Sequence, residues 1–154
     1  MTTPGYDFYK NALAGHRLPA AFIDLDALDA NLADLRARAG RLPIRLVTKS
    51  VRSVAILRRV LASGAPFRGL MCYSPAEAAW LASQGFDDLL VAYPSVEPTD
   101  LRAVAAQLRA GRTIALMVDS AAQVQRIAAI TVRDTLAITV RPARISSSML
   151  RLKA

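Results

Sequence analysis

The chain has one cysteine, one histidine and one tryptophan in 154 residues, and aromatic side chains make up only 6% of it. A lone Cys72 excludes an intramolecular disulfide and any zinc site built on several thiolates. His16 has no second histidine or ligand cluster beside it, so no metal site is expected. No stretch reaches the roughly 18 consecutive apolar residues of a membrane span. The opening residues, MTTPGYDFYK, lack the charged-then-apolar pattern of a secretory signal. Neither GxGxxG nor GxxxxGK followed by Ser or Thr occurs, so both common phosphate-cradling loops of open α/β sheets are missing. Lysine is scarce too: of 20 basic residues only Lys10, Lys49 and Lys153 are lysine. The composition that remains, 53% hydrophobic and 21% charged, can bury a sizeable core and is not that of a disordered chain. The expectation is a cytoplasmic, non-membrane protein.

The net charge is +8 and the pI about 10.5, values that raise nucleic-acid binding as a candidate. The arginines nevertheless stand singly or in pairs (Arg36/Arg38, Arg58/Arg59, Arg102/Arg109), and no run interleaves them with aromatics as a stacking platform requires. An arginine-rich solvated surface accounts for them, and no nucleic-acid partner is expected. The excess is uneven: from Thr131 onward Arg133, Arg141, Arg144, Arg151 and Lys153 face one acid, Asp134.

Short apolar runs alternate with helical segments. The runs are Ala20–Leu25, Ile44–Lys49, Gly69–Tyr73, Asp88–Tyr93, Thr113–Val118 and Thr135–Val140; from the second onward they recur about every 20 to 25 residues, the period of a βα unit. Near-continuous hydrophobicity in LLVAY and IALMV suits strands covered on both faces. Asp26 is placed to cap a helix over Ala27–Ala39, with Leu28, Leu32 and Leu35 on one face, and Ser53 to cap Val54–Ala62. Ser74-Pro75-Ala76-Glu77 reads as a capping box with proline at the first helical position, closed by Gly85. Pro98 or Thr99 opens the next helix, and Ser120 a last one over Ala121–Ile130. The alternation means an α/β fold. Without the phosphate loops of open sheets, it reads as an incomplete (β/α) TIM-type barrel: about five barrel strands plus one extra N-terminal strand, against the eight units and about 250 residues of a closed barrel.

In such folds chemistry gathers at the C-terminal ends of the strands. The residues there are Lys49, Tyr73 with Ser74, Tyr93, and Asp119 with Ser120. A primary amine kept at a strand end, in a chain that uses arginine almost everywhere else, suits attack on a carbonyl to form a Schiff base, which guanidinium cannot do. An ordinary lysine, with a pKa of about 10.4, is less than roughly 0.1% neutral at pH 7. Arg45 and Arg52 flank Lys49 and are available to favour its neutral form. From spacing alone, a lysine snorkelling out of a strand end remains the competing reading. Ser74 and Ser120 are explained as helix caps, Cys72 as a small buried hydrophobe, and Trp80 and Phe86 as packing residues.

RLPAAFIDLDALDANLADLRARAG, IRLVTKSVRS, FRGLMCYSPAEAAWLASQGFDDLLVAYP and ALMVDSAAQVQRI, in that order and spacing, resemble the N-terminal portion of the alanine-racemase-like, fold-type III pyridoxal-phosphate enzymes. The nearest branch is the D-threonine aldolase/D-serine dehydratase group, in particular its amino acid deaminase/aldolase members, and the resemblance spans Leu18 to Ile130. It implies that Lys49 holds pyridoxal 5'-phosphate through a Schiff base at the end of the first barrel strand. Tyr93 then lines the cofactor site and Asp119 sits at the barrel mouth. It further implies a lyase acting on a small D- or 3-hydroxy amino acid, with a non-catalytic cofactor-binding protein as the alternative, and a homodimer for the intact family. Ala20–Leu25 becomes a strand outside the barrel. Domains are expected at 1–17 (leading segment), 18–140 (partial barrel) and 141–154 (basic tail unlike the family, as in a truncated product inactive alone). The sequence departs from the pattern in two ways. The metal-binding residues of the aldolase/dehydratase branch have no counterpart here, and Val47 and Val51 stand where several relatives carry histidine.

Overall fold

In the computed structural model, which describes residues 4–131 and 139–142, strand and helix alternate from Ile44 onward. β1 (Ile44–Val47), β2 (Phe67–Cys72), β3 (Leu89–Val91), β4 (Ile114–Val118) and β5 (Thr139–Pro142) form one sheet in the order β1-β2-β3-β4-β5. All four pairings are parallel. Two helices, α3 (Thr48–Val51) and α4 (Val54–Ala62), link β1 to β2. Single helices follow the next strands: α5 (Pro75–Ser83), α6 (Pro98–Arg109) and α7 (Ala121–Thr131). A doubly wound sheet reverses its strand order at a switch point; this order never reverses. Right-handed crossovers that always step the same way put every helix on one face. The architecture is therefore an arc of a (β/α) barrel, with five of its strands described.

Burial follows that geometry. Leu46, Leu70, Leu89, Val91, Ile114, Leu116 and Val118 face the helices and are buried. Their alternates Val47, Met71, Leu90, Ala115 and Met117, on the concave face, are only half-buried. The hydrophobic runs foreshadow burial on both faces; the helix side alone is fully covered among the described residues. Register is regular except at the start of β2. Ile44 pairs with Phe67 but Leu46 with Leu70, so β2 carries one residue more than β1 there. Gly69 absorbs it with φ +64. A Cβ at Gly69 would collide with the Arg45 guanidinium and the Asp88 carbonyl, so the missing side chain is the notch in which that guanidinium sits.

The expected helix starts largely hold. Ser53 and Ser74 accept from the backbone N–H groups of Ile56 and Glu77, and Ser120 from Gln123. Pro98 begins α6. Trp80, expected on a packing side, is instead 52% exposed, because α5 buries the small residues Ala78, Ala79 and Ala82 with Leu81.

Residues 4–40 belong to a separate compact unit. It holds α1 (Tyr6–Ala12), which the sequence did not signal and which buries none of its side chains, and α2 (Leu25–Ala39). The extra N-terminal strand expected over Ala20–Leu25 does not form. Residues 20–24 have no regular structure, and Phe22 and Ile23 are about half exposed. The cap lies two residues earlier than expected: Asp24, not Asp26, accepts the Ala27 N–H at 2.9 Å, so Leu25 is already helical. The Ala27 bond, followed by the 2.6 Å bond from the Tyr9 hydroxyl, holds the Asp24 carboxyl below the usual carboxylate range. The tail beyond Pro142 lies outside the described residues.

Candidate functional site

β1 ends at Val47, and the next four residues wind into the single turn α3 rather than extending the strand to Lys49. Arg52 closes the turn in the left-handed region (φ 44), its Nε donating to the Lys49 carbonyl at 3.1 Å. This places Lys49 on the C-terminal rim of the sheet with an exposed side chain. Its Nζ donates to the Tyr93 hydroxyl at 2.9 Å, across from beyond the end of β3. The same nitrogen lies 5.4 Å from the Tyr93 ring centroid. Tyr73, just past β2, leans its ring on Tyr93 with centroids 5.0 Å apart. One amine and two phenols from three successive strand ends thus meet in one place.

The electrostatics differ from the expectation that neighbouring cations would favour the neutral amine. Arg45 turns away from Lys49: its guanidinium bonds the Asp88 carboxylate at 2.6 Å, the Asp88 carbonyl, and the Leu70 carbonyl at 3.2 Å. The hydrogen bond to Tyr93, then the charge of that phenol when ionised, raises Lys49 above the ordinary lysine value, against a smaller opposing effect of lost hydration. In this state the amine is held as an ammonium.

Behind the rim lies a group that the sequence did not reveal. Thr48 is 1% exposed. Its hydroxyl reaches Glu77 Oε2 at 2.7 Å and the Met71 carbonyl at 3.2 Å. The same Glu77 oxygen accepts the Tyr73 N–H at 2.7 Å. Glu77 was legible only as the far end of a capping box; the parity of Thr48 with buried Leu46, which points it toward the helix layer, was the available clue. Asp119 lies past β4, where its N–H donates to Gln123 Oε1 at 3.0 Å, and no hydrogen bond among the described residues joins it to Lys49. Cys72 is buried, and burial pushes its thiol up to about 12, as expected of an inert core residue.

The family model for alanine racemase, N-terminal domain, matches residues 23–152. The chain belongs to that family. Among solved structures, this domain is similar to D-threonine aldolase from Filomicrobium marinum, with a TM-score of 0.74 and 25% identity over 89% of the chain. It is similar to D-threo-3-hydroxyaspartate dehydratase from Delftia sp. HT23, with a TM-score of 0.74 and 30% identity over 84% of the chain. An alanine racemase-like protein from Idiomarina loihiensis matches at a TM-score of 0.63 and 25% identity over 75% of the chain. The domain spans about a third of each of these proteins, 37%, 34% and 31% respectively. No curated protein sequence matches it. No helix among the described residues is long and apolar enough to cross a membrane.

Proposed function

We propose that Lys49 is the residue through which this domain holds pyridoxal 5'-phosphate, in an enzyme of the aldolase, dehydratase or deaminase type acting on D- or 3-hydroxy amino acids. The observation that carries the reading is the 2.9 Å pairing of Lys49 Nζ with Tyr93 on the C-terminal rim of a parallel arc, in a chain whose solved relatives include a D-threonine aldolase and a 3-hydroxyaspartate dehydratase. The donor set suits the cofactor: an exposed primary amine for its aldehyde, and two phenol rings for its aromatic face. The cofactor, when bound, supplies an electron sink for the carbanion left by bond cleavage.

The chain's own groups have three tasks. Lys49 must lose a proton to solvent before its nitrogen can attack a carbonyl, and Tyr93 Oη, which accepts the hydrogen bond from that nitrogen, holds it in place on the rim. Tyr73 and Tyr93 wall one side of the amine and keep it from swinging freely. Arg52 ties down the carbonyl of Lys49 itself, which fixes where the side chain begins. In (β/α) barrels the phosphate is commonly held by loops after the seventh and eighth strands; the five described strands furnish the lysine side of such a site. The 154-residue chain alone is therefore expected to bind the cofactor weakly and to turn over little or no substrate, while the intact protein acts as a homodimer on a small amino acid.

The test is absorbance and turnover together. Added pyridoxal phosphate should give a visible band that Lys49→Ala abolishes; a band unchanged in that variant would refute the assignment. Turnover of a 3-hydroxy D-amino acid by the intact protein supports the enzyme reading, whereas a Lys49-dependent band without turnover in the intact protein supports the non-catalytic cofactor binder.

A further inference from the structure

We propose that Glu77, acting through Thr48 and Tyr73, is a positioning residue for Lys49: one carboxylate oxygen on the first turn of α5 fixes both the lysine-bearing turn and the tyrosine pair that receives the lysine. The inference rests on the reading of Lys49 given above. Glu77 Oε2 accepts from the Thr48 hydroxyl and from the Tyr73 N–H, each at 2.7 Å. Thr48 directly precedes Lys49; Tyr73 carries the ring that packs on Tyr93. Both ends of the Lys49–Tyr93 hydrogen bond are thus referenced to a single atom.

The geometry exceeds what helix capping requires. In a capping box the carboxylate at the third helical position returns to the N–H of the cap residue, here Ser74. Glu77 instead reaches one residue further back, to Tyr73, and sideways to another strand end. The Ser74 half of the box is intact, its hydroxyl accepting the Glu77 N–H at 3.2 Å, and this anchors the backbone from which the carboxylate projects. A threonine hydroxyl has one proton to donate. Its shorter contact is to the charged Glu77 oxygen and its longer one to the Met71 carbonyl, as expected of the stronger acceptor. Because Thr48 is buried, losing that acceptor leaves its hydroxyl only the longer bond to the Met71 carbonyl and leaves the Tyr73 N–H without its carboxylate partner. The turn then has reason to shift.

Competitive acetylation of the full chain with trace acetic anhydride, read by peptide mapping over a pH series, tests this without cofactor. Lys49 in the wild type should label with a pH midpoint above that of an ordinary lysine, and Tyr93→Phe should lower it. Thr48→Val and Glu77→Ala should lower the midpoint toward the Tyr93→Phe value, while Thr48→Ser, which keeps the hydroxyl, should restore the wild-type value. A Thr48→Val or Glu77→Ala chain that is folded by circular dichroism and keeps the wild-type midpoint overturns the proposal. If neither folds, Glu77→Met, which keeps much of the side-chain length but offers no oxygen to Thr48 or Tyr73, decides: a fall in the midpoint supports it, no change overturns it. Should pyridoxal phosphate fail to react at Lys49 in the wild type, the functional reading falls, yet the acetylation series still reports on the Glu77 linkage.

Discussion

At the residue scale, position decides reactivity. Lys49 and Cys72 lie near the same strand ends, one exposed on the rim and the other buried in β2. With its thiol pushed up to about 12 by burial, Cys72 is expected to resist a thiol reagent at pH 8 in the folded chain and to react fully in denaturant; rapid native labelling would contradict its placement. The raised value also has a linkage consequence. The thiol's contribution to stability is complete below the ordinary cysteine pKa of about 8.5 and is lost as pH climbs through the folded value near 12. Trp80, the single tryptophan, should show solvent-like emission and ready quenching by acrylamide, since it is 52% exposed; a blue-shifted, protected spectrum would mean that α5 presents another face. Lys49 was legible in the sequence because a lysine at a strand end is conspicuous among so many arginines. The fate of Arg45 was not, because its partner Asp88 lies 43 residues away and meets it only across a glycine notch.

At the element scale, local chemistry was a good guide for the helices that follow β1, β2 and β3. Ser53 and α4, Ser74-Pro75 and α5, and Pro98 and α6 all stand as their signals indicate. Ser74→Ala should destabilise the chain by about 1 kcal/mol, measured by urea denaturation, as loss of an N-cap usually does. Agreement fails at Ala20–Leu25, where an apolar run looks like a strand but Asp24 starts a helix instead. An apolar run alone does not make a strand; a partner does. The bulge in β2 was invisible for the same reason, being a property of pairing. Gly69→Ala combines a left-handed backbone, costing about 1–2 kcal/mol, with a collision against the Arg45–Asp88 pair. It should lower stability by about 2 kcal/mol or more, and a near-neutral melt would show that the notch is not needed.

For the whole molecule, topology carries the functional argument. An unreversed order of five parallel strands brings Lys49, Tyr73 and Tyr93 to one rim although they are spread over 45 residues of sequence. That convergence was readable as a consequence of the βα period, while the hydrogen bond and the Glu77 linkage behind it required coordinates. The scarcity of lysine makes the central claim directly measurable. Pyridoxal phosphate added to the full chain, fixed with borohydride and mapped by peptide mass, has only Lys10, Lys49, Lys153 and the N-terminal amine to choose among. Label is expected to concentrate in the peptide containing Lys49; label distributed evenly over the lysines, or missing from Lys49, would refute its role as the cofactor lysine.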